Sequence, residues 1–267
     1  MKIIVVSKVN IASRNIGKII LENYDFKETS DKWEGSPIYK YKDIKLIKCN
    51  KDVLELDYLE DFDTEILVIA STHKAESGIH SLTCHTPGNW SKAEYGGKDK
   101  VVSVSHALCL RETLLELKKQ QEAKKLDFEV SLEVTHHGPS LDIPTMFVEV
   151  GSSEEQWNNM KACEAVAETI MKVLTRDPEK VTVAVGFGGG HYANKFTKLL
   201  FKKEIAVGHI CPKYATDALD EEMILQAFSK TVPKPDLAVI DWKGLKSEQR
   251  KNIIDTLEKN NIKWEKA

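Results

Sequence analysis

Histidine is the most chemically informative residue type in this chain, because its ring can ligate a metal or move a proton near neutral pH. Four segments set histidines beside residues that could work with them. In Ser71-Thr72-His73-Lys74-Ala75-Glu76-Ser77-Gly78, an imidazole and a carboxylate stand three residues apart, directly after an apolar run over 66–70. One helical turn would place His73 and Glu76 on the same side, to bind a metal or orient a base. A solvated turn with a capping glutamate is the alternative. In Leu82-Thr83-Cys84-His85-Thr86-Pro87-Gly88-Asn89, His85 and Asn89 flank a Pro-Gly turn, where backbone can approach a ligand closely or merely expose a ring.

The third segment is Glu133-Val134-Thr135-His136-His137-Gly138-Pro139. Adjacent residues on an extended strand point to opposite faces, so the spacing sends only one of His136 and His137 into any pocket. The fourth is Val185-Gly186-Phe187-Gly188-Gly189-Gly190-His191-Tyr192, a buried strand running through glycines into a helix. Glycines let backbone N–H groups face a ligand, and a helix N-terminus favours an anion. The stretch is neither G-x-G-x-x-G nor a P-loop, which argues against a nucleotide cofactor. His209 and Cys211 alternate on one strand face, as a buried structural pair or as metal ligands.

These segments need elements to hold them. Short β-branched runs predict strands over 3–6, 44–47, 66–70, 101–104, 128–134, 146–150, 181–185, 205–207 and 237–240. Helical spacing predicts helices over 11–22, 107–124, 153–175, 191–202, 218–229 and 247–259. Ser152 and Glu155 offer a capping box to the 153–175 helix. The alternation implies an α/β fold: a largely parallel sheet, mixed near Val134 and Val150, with helices on both faces. Residues 78–99 lack periodicity and read as a long functional loop. Residues 1–267 form a single catalytic unit, with a smaller subdomain around 75–150.

Composition narrows the setting. At 267 residues, 42% hydrophobic and 30% charged, the chain can bury a sizeable core. A net charge of −3 excludes a globally cationic nucleic-acid binder, so any RNA contact must be a local patch. Five scattered cysteines without C-x-x-C point to a reducing compartment rather than a disulfide framework. With no signal peptide and no apolar run of about 20 residues, the expectation is a cytoplasmic protein without a membrane partner. Oligomeric state is not legible.

Taken together, the segments resemble the archaeal and plant type of D-aminoacyl-tRNA deacylase. The stretches that carry the likeness are 72–78, 82–89, 133–139, Phe147-Val148-Glu149-Val150-Gly151-Ser152 with Glu155 and Trp157, and Gly186-Phe187-Gly188-Gly189-Gly190-His191-Tyr192-Ala193. Ala12-Ser13-Arg14-Asn15-Ile16 adds to it, while Ala75, Cys84 and Asn194 depart from the pattern.

The resemblance implies hydrolysis of D-aminoacyl-tRNA with a zinc cofactor, on a fold similar to phosphorylases and peptidyl-tRNA hydrolases. The chemistry then suggests His73, His85, His136 and His191 as zinc ligands, drawn from four separate loops. Glu76 or His137 would relay the proton, and the amides of Gly189 and Gly190, with Gly188 beside them, would hold the oxyanion. Asn89 would touch substrate. Lys195, Lys198 and Lys202 follow His191 at helical steps and would form a phosphate-binding ridge. A zinc hydrolase of small amino-acid derivatives and a non-catalytic tRNA-binding module are the competing readings.

Overall fold

The structure, a computed structural model, describes residues 1–267 apart from the side chains of residues 60 and 61. Strand β1 (Lys2–Ser7) is an almost continuous apolar run, as a strand buried on both faces requires. Helix α1 (Ile11–Asn23) follows, capped by the Asn10 side chain, which accepts from Ser13 N at 3.0 Å. Strands β2 (Lys27–Trp33) and β3 (Ser36–Tyr41) form a hairpin that the hydrophobic pattern does not reveal. The reason is exposure: β2 lies at the sheet edge and buries no face. Its turn is carried by Glu34 and Gly35, both with positive φ (45° and 75°), as two-residue hairpin loops require.

Strands β4 (Ile44–Cys49), β5 (Ile66–Lys74), β6 (Ser81–His85), β7 (Glu129–Leu132) and β8 (Thr145–Ser152) complete an eight-stranded sheet. Its order is β7-β6-β8-β5-β1-β4-β3-β2. The centre is parallel, but β6 runs antiparallel to β8 and parallel to β7. The sheet is therefore mixed, though through β6 rather than a pairing of the segments around Val134 and Val150. Strand β6 also corrects the expectation of an unstructured 78–99 loop. Only Leu82 and Cys84 give β6 an apolar face, so its periodicity is too short to register.

Helices α2 (Ala107–Ala123), α3 (Glu154–Trp157) and α4 (Met160–Leu174) come next. The helix expected over 153–175 is broken at Asn158 and Asn159. Asn159 caps α4 by accepting from Ala162 N, restarting the helix. The capping box does not form, since Ser152 Oγ donates instead to Ile79 O at 2.9 Å. Helices α1, α2 and α4 cover one sheet face through Ile16, Ile20, Leu114, Val166 and Ile170. On the other face Ile3, Val5, Leu67, Ile69 and Phe147 pack with Val53, Leu56 and Leu59.

A second, parallel sheet contains β9 (Thr182–Phe187), β10 (Ile205–Cys211), β11 (Leu237–Ile240) and β12 (Trp264–Lys266), in the order β10-β9-β11-β12. Helices α5 (Asn194–Lys202), α6 (Glu221–Ser229) and α7 (Ser247–Lys259) accompany it. Helix α5 starts three residues later than expected. His191 and Tyr192 stay out of the helix because their backbone pairs with the segment just beyond β7: Val134 N donates to His191 O, and Glu133 bridges Tyr192. No helix among the described residues is long and apolar enough to cross a membrane.

Candidate functional site

Register builds the floor of the site. Across the β6–β8 seam, His85 faces Phe147, Thr83 faces Glu149, and Ser81 faces Gly151. Across β8–β5, Glu149 faces Ser71 and Gly151 faces His73. Paired residues share a face, so His73, His85 and Glu149 rise from the same side of the sheet. Their sequence neighbours Cys84, Val148 and Val150 point into the opposite core. Gly151 makes room here: a Cβ on it would stand 2.8 Å from His73 Cδ2 and 2.6 Å from Ser81 Oγ. The centre thus lies on a sheet face, where the alternation of polar and apolar residues in β6 is the mark of a working surface.

The chain beyond β7 supplies the wall. Glu133 follows Leu132, which pairs with Cys84, so its carboxylate emerges beside His85. His73 Nδ1 lies 3.0 Å from Glu133 Oε1, and His191 Nε2 lies 3.0 Å from Oε2. His136 Nε2 is 3.5 Å from Oε2. Glu149 Oε2 is 3.6 Å from His73 Nδ1 and 3.7 Å from His85 Nε2. The rings of His136 and His137 both reach His85, with centroids 4.4 and 4.8 Å away. The expectation that they point to opposite sides is overturned because β7 ends at Leu132 and His137 has a φ of 45°. Around this wall, Trp90 Nε1 donates to Thr135 O, and Thr135 Oγ1 meets His209 Nδ1 at 3.2 Å.

The donors are grouped closely enough to hold a cation. His85 Nδ1 faces Thr86 O, His136 Nδ1 faces Val134 O, and His137 Nδ1 faces Gly138 O. A carbonyl accepts only from N–H, so these three rings carry a proton on Nδ1, which leaves Nε2 as the atom that could face a metal once it is unprotonated. Metal-bound histidines are fixed in this way. His85 Nε2 and both Glu133 oxygens are buried without a hydrogen-bond partner. The ring nitrogens around Glu133 are at ion-pair distance but off the line of an N–H···O bond. Buried acceptors without donors cost free energy unless a cation satisfies them. Three such sets occur among the described residues: His85 with His136 and His137, His73 with Glu133 and His191, and His85 with Glu133 and Glu149. Nitrogen and oxygen donors of this kind suit zinc.

Electrostatics follow from the burial. Burial alone would raise the Glu133 carboxyl, but His191 and His73 hold it well below the usual range. Glu149 is held near 2 against its burial by His73 and His85. His73, despite burial, is raised to about 11 by Glu133 and Glu149. Burial, with His137 and His85 adding to it, holds His136 well below its ordinary value; burial and His85 bring His137 to about 4. The cluster therefore holds two ionised carboxylates, with the protonated form favoured at His73 and disfavoured at His136 and His137.

A cavity of 890 Å³ opens above this floor, lined in part by His73, His136, His137, Glu149 and His191. His73, His85, His136 and His191 do converge, with His137 among them. Glu76 is exposed on the cavity rim and belongs to none of the donor sets. Asn89 also lines the cavity, but its amide donates to Gly96 O and Lys98 O, tying a loop. Gly188, Gly189 and Gly190 are not among the cavity-lining residues. Gly188 N donates to Cys211 O, and a Cβ there would stand 2.9 Å from Asp241 Cβ, so this glycine serves chain packing. Lys195, Lys198 and Lys202 are exposed on α5, but His191 precedes that helix and does not share its line. Sequence reasoning missed Glu133 and Glu149. The available signal was a carboxylate inside an apolar strand run, as in Phe147-Val148-Glu149-Val150.

Comparison with known proteins gives a consistent result. Residues 60–265 match the family model described as D-aminoacyl-tRNA deacylase. The chain is 41% identical over 259 residues to a D-aminoacyl-tRNA deacylase from Pyrococcus abyssi, covering 94% of each protein. It is 38% identical over 270 residues to one from Methanosarcina barkeri, covering 96% of this chain and 86% of that one. Among solved structures, it resembles a conserved protein of unknown function with a TM-score of 0.92 and 29% identity, covering 100% of this chain and 95% of the other.

Proposed function

This chain belongs to the D-aminoacyl-tRNA deacylase family, and we propose that its buried histidine–glutamate cluster is the zinc centre that hydrolyses the aminoacyl ester. It is a hydrolase whose substrate is D-aminoacyl-tRNA. The observation that carries the metal reading is the convergence of His85, His136 and His137 ring nitrogens beside a buried carboxylate with no hydrogen-bond donor. When bound, zinc supplies a Lewis acid that lowers the pKa of water to roughly 7 and polarises a carbonyl. His85, His136 and His137 would hold it at one donor set, and His73, Glu133 and His191 at the other. Glu133 belongs also to the set with His85 and Glu149, and supplies negative charge to the whole centre. His137, expected as a proton relay, becomes a ligand in this reading.

Glu149 is the proposed base, because it alone of the two buried carboxylates lines the cavity. Its low pKa comes from the protonated His73 and His85 rings. When those rings give up their protons, burial is left to raise it toward a useful value. Glu149 Oε2 accepts a proton from the attacking water as the water oxygen joins the acyl carbon. The ribose–acyl C–O bond breaks, and the departing ribose oxygen takes that proton. A free D-amino acid and tRNA result.

Lys195, Lys198 and Lys202 of α5 offer a phosphate-binding line beyond the catalytic centre. A tRNA-binding module without chemistry fits poorly, because His73 and His85 are buried and cannot stack on RNA. The test is deacylation of matched D- and L-tyrosyl-tRNA, with zinc measured in the same protein and a chelator arm. Selective cleavage of the D-substrate, lost with the zinc, is the expected result. Full activity in zinc-free protein overturns the metal reading. Equal turnover of D-tyrosine ethyl ester and D-tyrosyl-tRNA would favour a hydrolase of small amino-acid derivatives.

A further inference from the structure

The cavity extends well beyond the histidine–glutamate cluster. Its 890 Å³ lies in the upper part of the ~300–1,000 Å³ range of sites for drug-sized ligands, more than one amino-acid side chain needs. Among the described residues the exposed aromatics are Tyr95 (68% exposed), Tyr214 (61%) and Phe201 (39%), and the first two line this cavity. Neither tyrosine ring takes part in an aromatic contact recorded among the described residues.

Both are mounted on backbone tied to the histidine-bearing segments. Gly138 N, next to His137, donates to Tyr95 O at 2.9 Å. Gly97 packs so closely on this segment that a Cβ on Gly138 would stand 2.4 Å from Gly97 N. Tyr214 follows Lys213, whose N–H donates to Gly189 O at 3.0 Å, two residues before His191. Two exposed aromatic rings thus line the cavity on anchored backbone, and a tyrosine has only two side-chain torsions to order on binding.

We propose that Tyr95 and Tyr214 form a stacking platform for the unpaired 3′-terminal adenine of the tRNA; this rests on the function proposed above. The ester to be cleaved sits on the ribose that carries that base. The base must therefore lie within one sugar of the reacting carbonyl, where the cavity mouth is. Unpaired bases are bound by stacking on aromatic side chains. Charge alone is a poor substitute here. The rim carries Lys74 and Lys92, but also Asp52, Glu76 and Glu94. With mixed charge at the mouth, a contact indifferent to sign is the one that can contribute affinity.

The experiment measures KM and kcat on D-tyrosyl-tRNA for wild type, Tyr95→Ala, Tyr214→Ala and the corresponding Phe variants, with D-tyrosine ethyl ester as a substrate lacking a base. Each Ala variant is expected to raise KM for the tRNA substrate at least about fivefold, with a smaller change in kcat, and Phe to restore it. The shift should persist at raised salt, unlike a phosphate contact. An unchanged KM in both Ala variants, with wild type cleaving D-tyrosyl-tRNA, overturns the platform alone. So does an equal rise with the ethyl ester. A wild type that does not cleave D-tyrosyl-tRNA overturns the proposed function and the platform with it.

Discussion

Replacing Glu133 by glutamine removes one buried negative charge with almost no change of volume. The side chain is fully buried, and its oxygens stand 3.0 Å from both His73 Nδ1 and His191 Nε2. At that distance, with an effective dielectric of about 20, one pair of unit charges interacts by about 5 kcal/mol before desolvation is subtracted. For a cation held at a comparable distance, if half survives, the loss is 2–3 kcal/mol, or roughly 100-fold in zinc affinity. Glu133 belongs to two of the three donor sets, so the effect should not be confined to one position. A residue that only orients ligands would cost about 10- to 100-fold, so a loss beyond about 100-fold marks Glu133 as a ligand. The assay is competition for zinc against a chromophoric chelator, run beside initial rates on D-tyrosyl-tRNA. Circular dichroism confirms that the variant is folded. Glu133→Asp keeps the charge and should lie between glutamine and wild type. A folded Glu133→Gln protein that binds zinc as wild type does would refute the argument and leave Glu133 as a partner of protonated histidine.

Three further outcomes follow from the geometry. His136→Ala and His137→Ala should each lower zinc content, because both rings meet His85; loss from only one would show that the other ring is not a ligand. The triple variant Lys195→Ala, Lys198→Ala, Lys202→Ala should raise KM for tRNA, with the salt slope reduced by somewhat less than about one unit per lost phosphate contact; an unchanged slope places the RNA track elsewhere. His209 is buried and brought down to about 4 by that burial, against an ordinary 6.5. The unfolded chain therefore takes the proton first as pH falls, so stability is complete above about 6.5 and lost progressively down to about 4. The gap corresponds to about 3 kcal/mol, and urea unfolding of wild type and His209→Gln across that window should show a smaller acid loss in the variant.

Much of the protein could be read from residue order. The long apolar strands, five of the six predicted helices and the histidine segments rest on local patterns, and a pattern several residues long survives folding. The resemblance pointed to the family for the same reason. Where local signals were weak or ambiguous, the tertiary structure decided. Strand β6 has too short an apolar face to announce itself, since its other face is the floor of the site. Asn159 divides a helix whose hydrophobic period runs on unbroken. Extended-strand alternation separates His136 from His137, yet the strand ends before them and both rings turn to His85. Glu149 stands out in sequence only as a carboxylate within an apolar run, and nothing there says what it faces; Glu133 has a weaker signal still. Only the register of β6 against β8 and β5, the glycine at 151 that seats His73, and the return of the chain at His191 bring them against the rings. A ligand set is a property of distances between segments, and those distances are fixed by strand pairing, which no single segment encodes.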